Sequence, residues 1–132
     1  MTGVRSVIDP HIHLWSLADG RDIWIRERIE ALSRDFSLTD FHAQSGRARL
    51  AVEGVHVVQA SATVEETAHY LEEGRRDPFI RGVVGWVDLE DDPGRLGETL
   101  DRLGATGHLS GIRAYPRREF DIGWLALPAV QR

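Results

Sequence analysis

Apolar residues follow two rhythms along this chain of 132 residues. Short, almost unbroken β-branched runs alternate with stretches in which apolar positions recur every three to four residues. The first pattern suits strands covered on both faces and the second suits amphipathic helices. Val7-Ile8-Asp9 opens the series as a first strand ending near His13. Residues 54–60 (GVHVVQA), 80–87 (IRGVVGWV) and 109–114 (LSGIRA) predict three more. Between the second and third, Thr63 and Glu66 have the spacing of a capping box, and Val64, Ala68 and Leu71 form a stripe ending around Gly74. Pro78 bars continuation. Between the third and fourth, Asp92 and Pro93 stand as N-cap and first helical residue, Leu96, Leu100 and Leu103 share one face, and Gly104 and Gly107 close the helix.

From residue 54 the order is therefore β-α-β-α-β, with strands starting roughly 25–30 residues apart, which argues for an α/β protein with a parallel sheet. Residues 15–53 form a long excursion holding an Arg-rich helix over 23–32 and a second helix over 39–52. An insertion of that length after a strand is expected to be a functional lid or ordered loop. Residues 123–132 (GWLALPAVQR) read as the start of an amphipathic helix. Four strands with their helices make about half of a (β/α)8 barrel, which takes about 250 residues. The expectation is one domain over 1–132, the first four βα units of an incomplete TIM-type barrel.

Composition narrows the chemistry. With 42% hydrophobic and 28% charged residues the chain falls in the soluble globular range. It has neither a run of ~20 apolar residues nor the basic-then-apolar start of a signal peptide, so no membrane association and a cytoplasmic location are expected. There is no Cys, which leaves His and carboxylates as metal ligands. The absence of Lys removes Schiff-base chemistry and a Walker lysine, and the absence of Asn removes N-glycosylation. A net charge of -5 argues against a nucleic-acid partner and leaves a small polar or acidic molecule as substrate.

The strongest local signal is Asp9-Pro10-His11-Ile12-His13-Leu14-Trp15. Alternate strand residues point to one side, so His11 and His13 can present two imidazoles toward one point with Asp9 below them, an arrangement suited to a divalent metal, zinc first. Zinc needs a third ligand and, in catalytic sites, a water. Two imidazoles bonded to backbone or carboxylates are the plainer reading of the same pattern. Position favours the first, because His13, Gln59, Asp88 and Arg113 each close a predicted strand, and chemistry in βα architectures gathers at strand carboxyl ends. Arg113 offers a planar fork for a carboxylate or polarised carbonyl, and Gln59 both donates and accepts. Trp15 and Trp24 are candidate pocket walls, while Trp86 and Trp124 read as core. His42, His56, His69 and His108 lack ligand spacing, Arg117-Arg118 reads as a solvated pair, and the glycines of 94–107 make no dinucleotide fingerprint.

IDPHIHLW, VHVVQA, IRGVVGWVDL and LSGIR, in that order over essentially the whole chain, resemble the amidohydrolase superfamily, most closely the amidohydrolase-2 branch that includes sugar-lactone hydrolases. The resemblance implies a (β/α)8 barrel with its site at the strand carboxyl ends. His11 and His13 would fall on the catalytic HxH metal or substrate pair, and Gln59 and Arg113 on substrate-contacting positions. It implies ring-opening of a lactone by water, with a general-base Asp and further His ligands on later strands that these residues do not include. Ala114 stands where relatives commonly place His after GIR. Members of the branch differ in metal dependence, so metal-independent operation stays open. The alternatives are a metal-dependent decarboxylase of the same superfamily, or a non-catalytic fragment or interaction module that self-associates through open barrel edges.

Overall fold

Each β-branched run becomes a strand of one parallel sheet in the sequential order β1-β2-β3-β4. In the computed structural model, which describes residues 6–19, 29–113 and 122–131, β1 is Ser6–Ile12, β2 is Ala51–Val58, β3 is Ile80–Gly85 and β4 is Leu109–Ile112. The helices are α1 (Leu38–Ser45), α2 (Val64–Arg76) and α3 (Pro93–Gly104), with 3-10 turns at Leu17–Asp19, Glu30–Leu32 and Ile122–Ala126. Strand and helix alternate from β2 onward, as the two rhythms predict.

The predicted stripes are the ones that pack. Leu71 and Leu103 are buried with Ile12, Leu14, Val55, Val57, Ile80 and Val83, and Val64, Ala68, Leu96 and Leu100 lie against them. This core fills the space between the sheet and α2 and α3. Asp92 caps α3 by accepting from the Gly94 and Arg95 N–H groups, with Pro93 behind it. Gly107 has φ +77, a left-handed conformation that turns the chain into β4 and that a side chain would oppose. Gly85 is required by close approach, because a methyl there would lie 2.2 Å from Thr67 Cγ2 of α2.

Several boundaries differ from expectation. The second helix of the excursion runs over Leu38–Ser45, not 39–52. Ser37 and Asp40 form its capping box, and Gly46 ends it. The following residues are taken by sheet pairing, Ser6 with Ala51 and Val7 with Val52. Of the helix expected over 23–32, residues 23–28 lie outside the described residues and 30–32 form a 3-10 turn. The final segment is also a 3-10 turn, Ile122–Ala126, since Pro128 has no N–H for an α-helical bond and restricts the residue before it. Trp86 lies one residue beyond β3 but is buried, as expected of a core residue, and so is Trp124, whose Nε1–H donates to Glu90 at 2.8 Å. β1 is not covered on both faces: Val7 and Ile8 are 37% and 50% exposed.

Candidate functional site

The HxH segment is seated by contacts from its neighbours. β1 slips register against β2 between Asp9 and Ile12, so regular alternation fails there. Asp9 therefore does not sit below the imidazoles as a third ligand in line; its Oδ1 accepts the His11 backbone N–H at 3.0 Å and shapes the bulge. Past the strand, the Tyr70 hydroxyl of α2 donates to the Leu14 carbonyl, and Trp15 bridges antiparallel to Phe36 through two backbone hydrogen bonds.

The two imidazoles meet. His11 Nε2 and His13 Nε2 are 3.1 Å apart, with the rings edge to face, and His13 Nδ1 lies 2.9 Å from the Val58 carbonyl of β2. A carbonyl only accepts, so Nδ1 of His13 carries the proton and its neutral Nε2 presents a lone pair, toward which His11 donates. Burial is the main cause that lowers the His13 pKa below its ordinary value, and the charges of His11 and Arg113 lower it further. The Val58 and Gln59 carbonyls work in the opposite direction. His13 is thereby kept a neutral, lone-pair-bearing base.

Gln59 and Arg113 directly follow β2 and β4 as predicted, whereas β3 ends at Gly85 and Asp88 lies three residues past it instead of closing the strand. The Gln59 N–H donates to Val84 and the Arg113 N–H to Gly85, extending the ladders one residue past β2 and β4. Gln59 is buried and Arg113 half-buried, its guanidinium close enough for its charge to act on His13. Asp88 accepts the Glu90 N–H at 3.1 Å, which makes it a turn residue at this rim. Trp15 lines a different cleft of about 410 Å3, together with Phe36, His69, Tyr70, Glu73 and Asp77. Its Nε1 is buried there with no acceptor among the described residues. Trp24 and Ala114 lie outside the described residues.

The donor set fits one divalent ion as an incomplete shell. At ~2.0–2.1 Å per Zn–N bond, two nitrogens on one tetrahedral ion sit about 3.3 Å apart, close to the Nε2 separation found here. No third His, Asp or Glu joins the pair among the described residues. Nor is any helix among them long and apolar enough to cross a membrane.

Sequence reading missed Tyr70 and the pair Glu66–Thr67. Glu66 follows Thr63 at capping-box spacing, and Thr63 Oγ1 does accept the Glu66 N–H at 3.2 Å. The Glu66 carboxylate, however, also accepts from Ala60 N–H at 3.1 Å and Ser61 N–H at 2.9 Å, at the end of β2.

No family model matches the sequence. The chain is 32% identical over 126 residues to an L-fucono-1,5-lactonase of Burkholderia ambifaria, covering 94% of this chain and 41% of that protein. It is 34% identical over 120 residues to an L-fucono-1,5-lactonase of Burkholderia multivorans, covering 87% and 37%. A crystal structure of a Burkholderia multivorans amidohydrolase with bound Zn superposes with TM-score 0.78 at 30% identity, over 93% of this chain and 42% of the other. An amidohydrolase 2 from Bifidobacterium longum subsp. infantis shares the fold, with TM-score 0.63 at 22% identity over 96% and 45%. The chain thus spans about two fifths of the length of these proteins, and its four parallel strands with the helices between them match part of the amidohydrolase barrel.

Proposed function

We propose that this chain, an amidohydrolase relative over about two fifths of those proteins' length, supplies the first four strands of a lactone-hydrolysing site. The substrate class that fits is a sugar 1,5-lactone, by likeness to the two lactonases. The observation that carries the reading is the His11–His13 Nε2 pair at 3.1 Å, held at the carboxyl end of β1 by the Val58 carbonyl.

His11 and His13 would hold a zinc ion through Nε2, and the ion when bound supplies a Lewis acid that polarises the ester carbonyl. For both nitrogens to ligate, the His11 proton has to move from Nε2 to Nδ1, whereas His13 is already in the ligating tautomer. Arg113 adds a fixed positive charge beside the pair, suited to orienting a carbonyl or sugar oxygen and to stabilising negative charge as the ring opens. Gln59, buried at the neighbouring strand end, offers an amide for a substrate hydroxyl. The attacking water requires a base, and no carboxylate joins the pair among the described residues. The remaining ligands and the base are assigned to elements equivalent to the part of the relatives that this chain does not span.

The reading is tested by calorimetric titration of residues 1–132 with Zn2+, alongside His11→Ala and His13→Ala, and by assay of a 1,5-lactone panel. One equivalent of Zn2+ should bind, with each variant weakening it by about tenfold or more. Unchanged Zn2+ affinity in both variants, or lactone turnover that survives both, would sink the proposal.

A further inference from the structure

The site's most deeply buried charged group belongs to none of the strands. Glu66, in the first turn of α2, is 2% exposed, and its carboxylate takes the N–H groups of Ala60 and Ser61, the two residues after Gln59. Its neighbour Thr67 is fully buried and grips the end of β3 in the same way: Oγ1 accepts the Trp86 N–H at 2.8 Å and lies 3.1 Å from the Trp86 carbonyl. One helical turn thus holds the carboxyl ends of two adjacent strands. A carboxylate without these amides would be a costly buried charge, so the arrangement has to be satisfied for the helix to dock as it does.

This geometry bears directly on His13. Val58 accepts the His13 Nδ1 proton, Gln59 follows, and the next two peptide units are those clamped by Glu66. A peptide plane is rigid, so the N–H of Ala60 fixes the Gln59 carbonyl, while the Val58 carbonyl shares its plane with the Gln59 N–H, which donates to Val84 at 2.8 Å; Glu66 thus acts on the Val58 carbonyl through the φ and ψ of Gln59, the one residue between the two held planes.

We infer that Glu66 is a positioning residue for the proposed site: its buried carboxylate locks the β2–α2 turn so that the Val58 carbonyl holds His13 in the tautomer whose Nε2 is free to ligate. The inference rests on the reading of His11 and His13 as the ligand pair, but it makes its own prediction about the imidazole with no metal present. It also explains the acid at position 66. An acid in the first turn already suits α2, but the two converging N–H groups beyond the helix give the buried carboxylate a second use, and bonds to charged groups are the stronger ones.

The test compares wild type, Glu66→Ala and Glu66→Gln in the whole chain by NMR without metal, with Leu103→Ala as a variant destabilised far from the turn. Ring 15N shifts report the His13 tautomer, and amide exchange reports the turn. In Glu66→Ala, Ala60 and Ser61 amides should lose about tenfold or more in protection, and His13 should change from Nδ1–H alone to a mixture of tautomers. Glu66→Gln retains one acceptor oxygen and should recover part of both signals, while Leu103→Ala should lower stability and leave the His13 tautomer at its wild-type value. If Glu66→Ala only lowers stability, with the His13 ring unchanged, Glu66 is a structural cap and the inference falls. If wild type takes up no Zn2+ yet the tautomer shifts as stated, the positioning role stands and the metal reading fails.

Discussion

His13 is a base kept neutral by its surroundings, and that has a consequence for stability. Its folded pKa lies below the ordinary 6.5, chiefly because burial disfavours the imidazolium. The unfolded chain therefore takes up a proton near pH 6.5 that the folded chain refuses, so unfolding is favoured as protons are added. Stability present above pH 6.5 is lost as pH falls from there toward the lowered folded value, and no more is lost to this group below it. Thermal melts between about pH 8 and about pH 5 should show a decline that His13→Gln reduces. An identical decline in that variant would assign the effect elsewhere. At this scale the sequence was informative about residue types and silent about angles. The HxH spacing announces two converging imidazoles, but the bulge that turns Asp9 to the His11 backbone depends on pairing with β2, a segment remote in sequence.

The helices and strands were legible wherever one local pattern was uncontested. The α3 cap at Asp92-Pro93 and the Leu96, Leu100, Leu103 face required nothing beyond their own neighbourhood. Residues 46–53 were contested, since a helical pattern continues through them but β1 recruits Ala51 and Val52 into the sheet. The role of Glu66 was hidden by its own good fit to a capping box. The packing of α2 on β3 gives a sharper test of element contacts. Gly85→Ala places a methyl 2.2 Å from Thr67 Cγ2 and should cost about 1–3 kcal/mol, read from the urea midpoint. Thr67→Ser removes that methyl and keeps the hydroxyl, so the double variant should be destabilised by less than the sum of the two singles. Strict additivity would show that the glycine is not there for clearance.

Among the described residues the strands form one sheet in sequential order, with β1 and β4 outermost and α2 and α3 packed on its core. Among the described residues β1 pairs only with β2 and β4 only with β3. Val7 and Ile8 add exposed apolar surface beside the edge of β1 that no other described strand pairs. Open edges next to apolar surface recruit other strands. Light scattering on the isolated chain should therefore give a mass that rises above 14.8 kDa with concentration, and Ile8→Lys should reduce the rise. A monomer at every concentration would show that the edges are protected.

The sequential strand order also sets a timetable. Thr67 reaches Trp86 across 19 positions of chain, whereas His13 reaches Val58 across 45. Contacts close in sequence form with less loop entropy to overcome, so β2, α2 and β3 can assemble as a unit before β1 has a partner. At roughly 5–20 residues per second, a ribosome needs a few seconds to deliver β2 after β1 has emerged. The segment that carries both imidazoles, His11 in β1 and His13 just past it, is thus made before the strand it pairs with and has the longer loop to close.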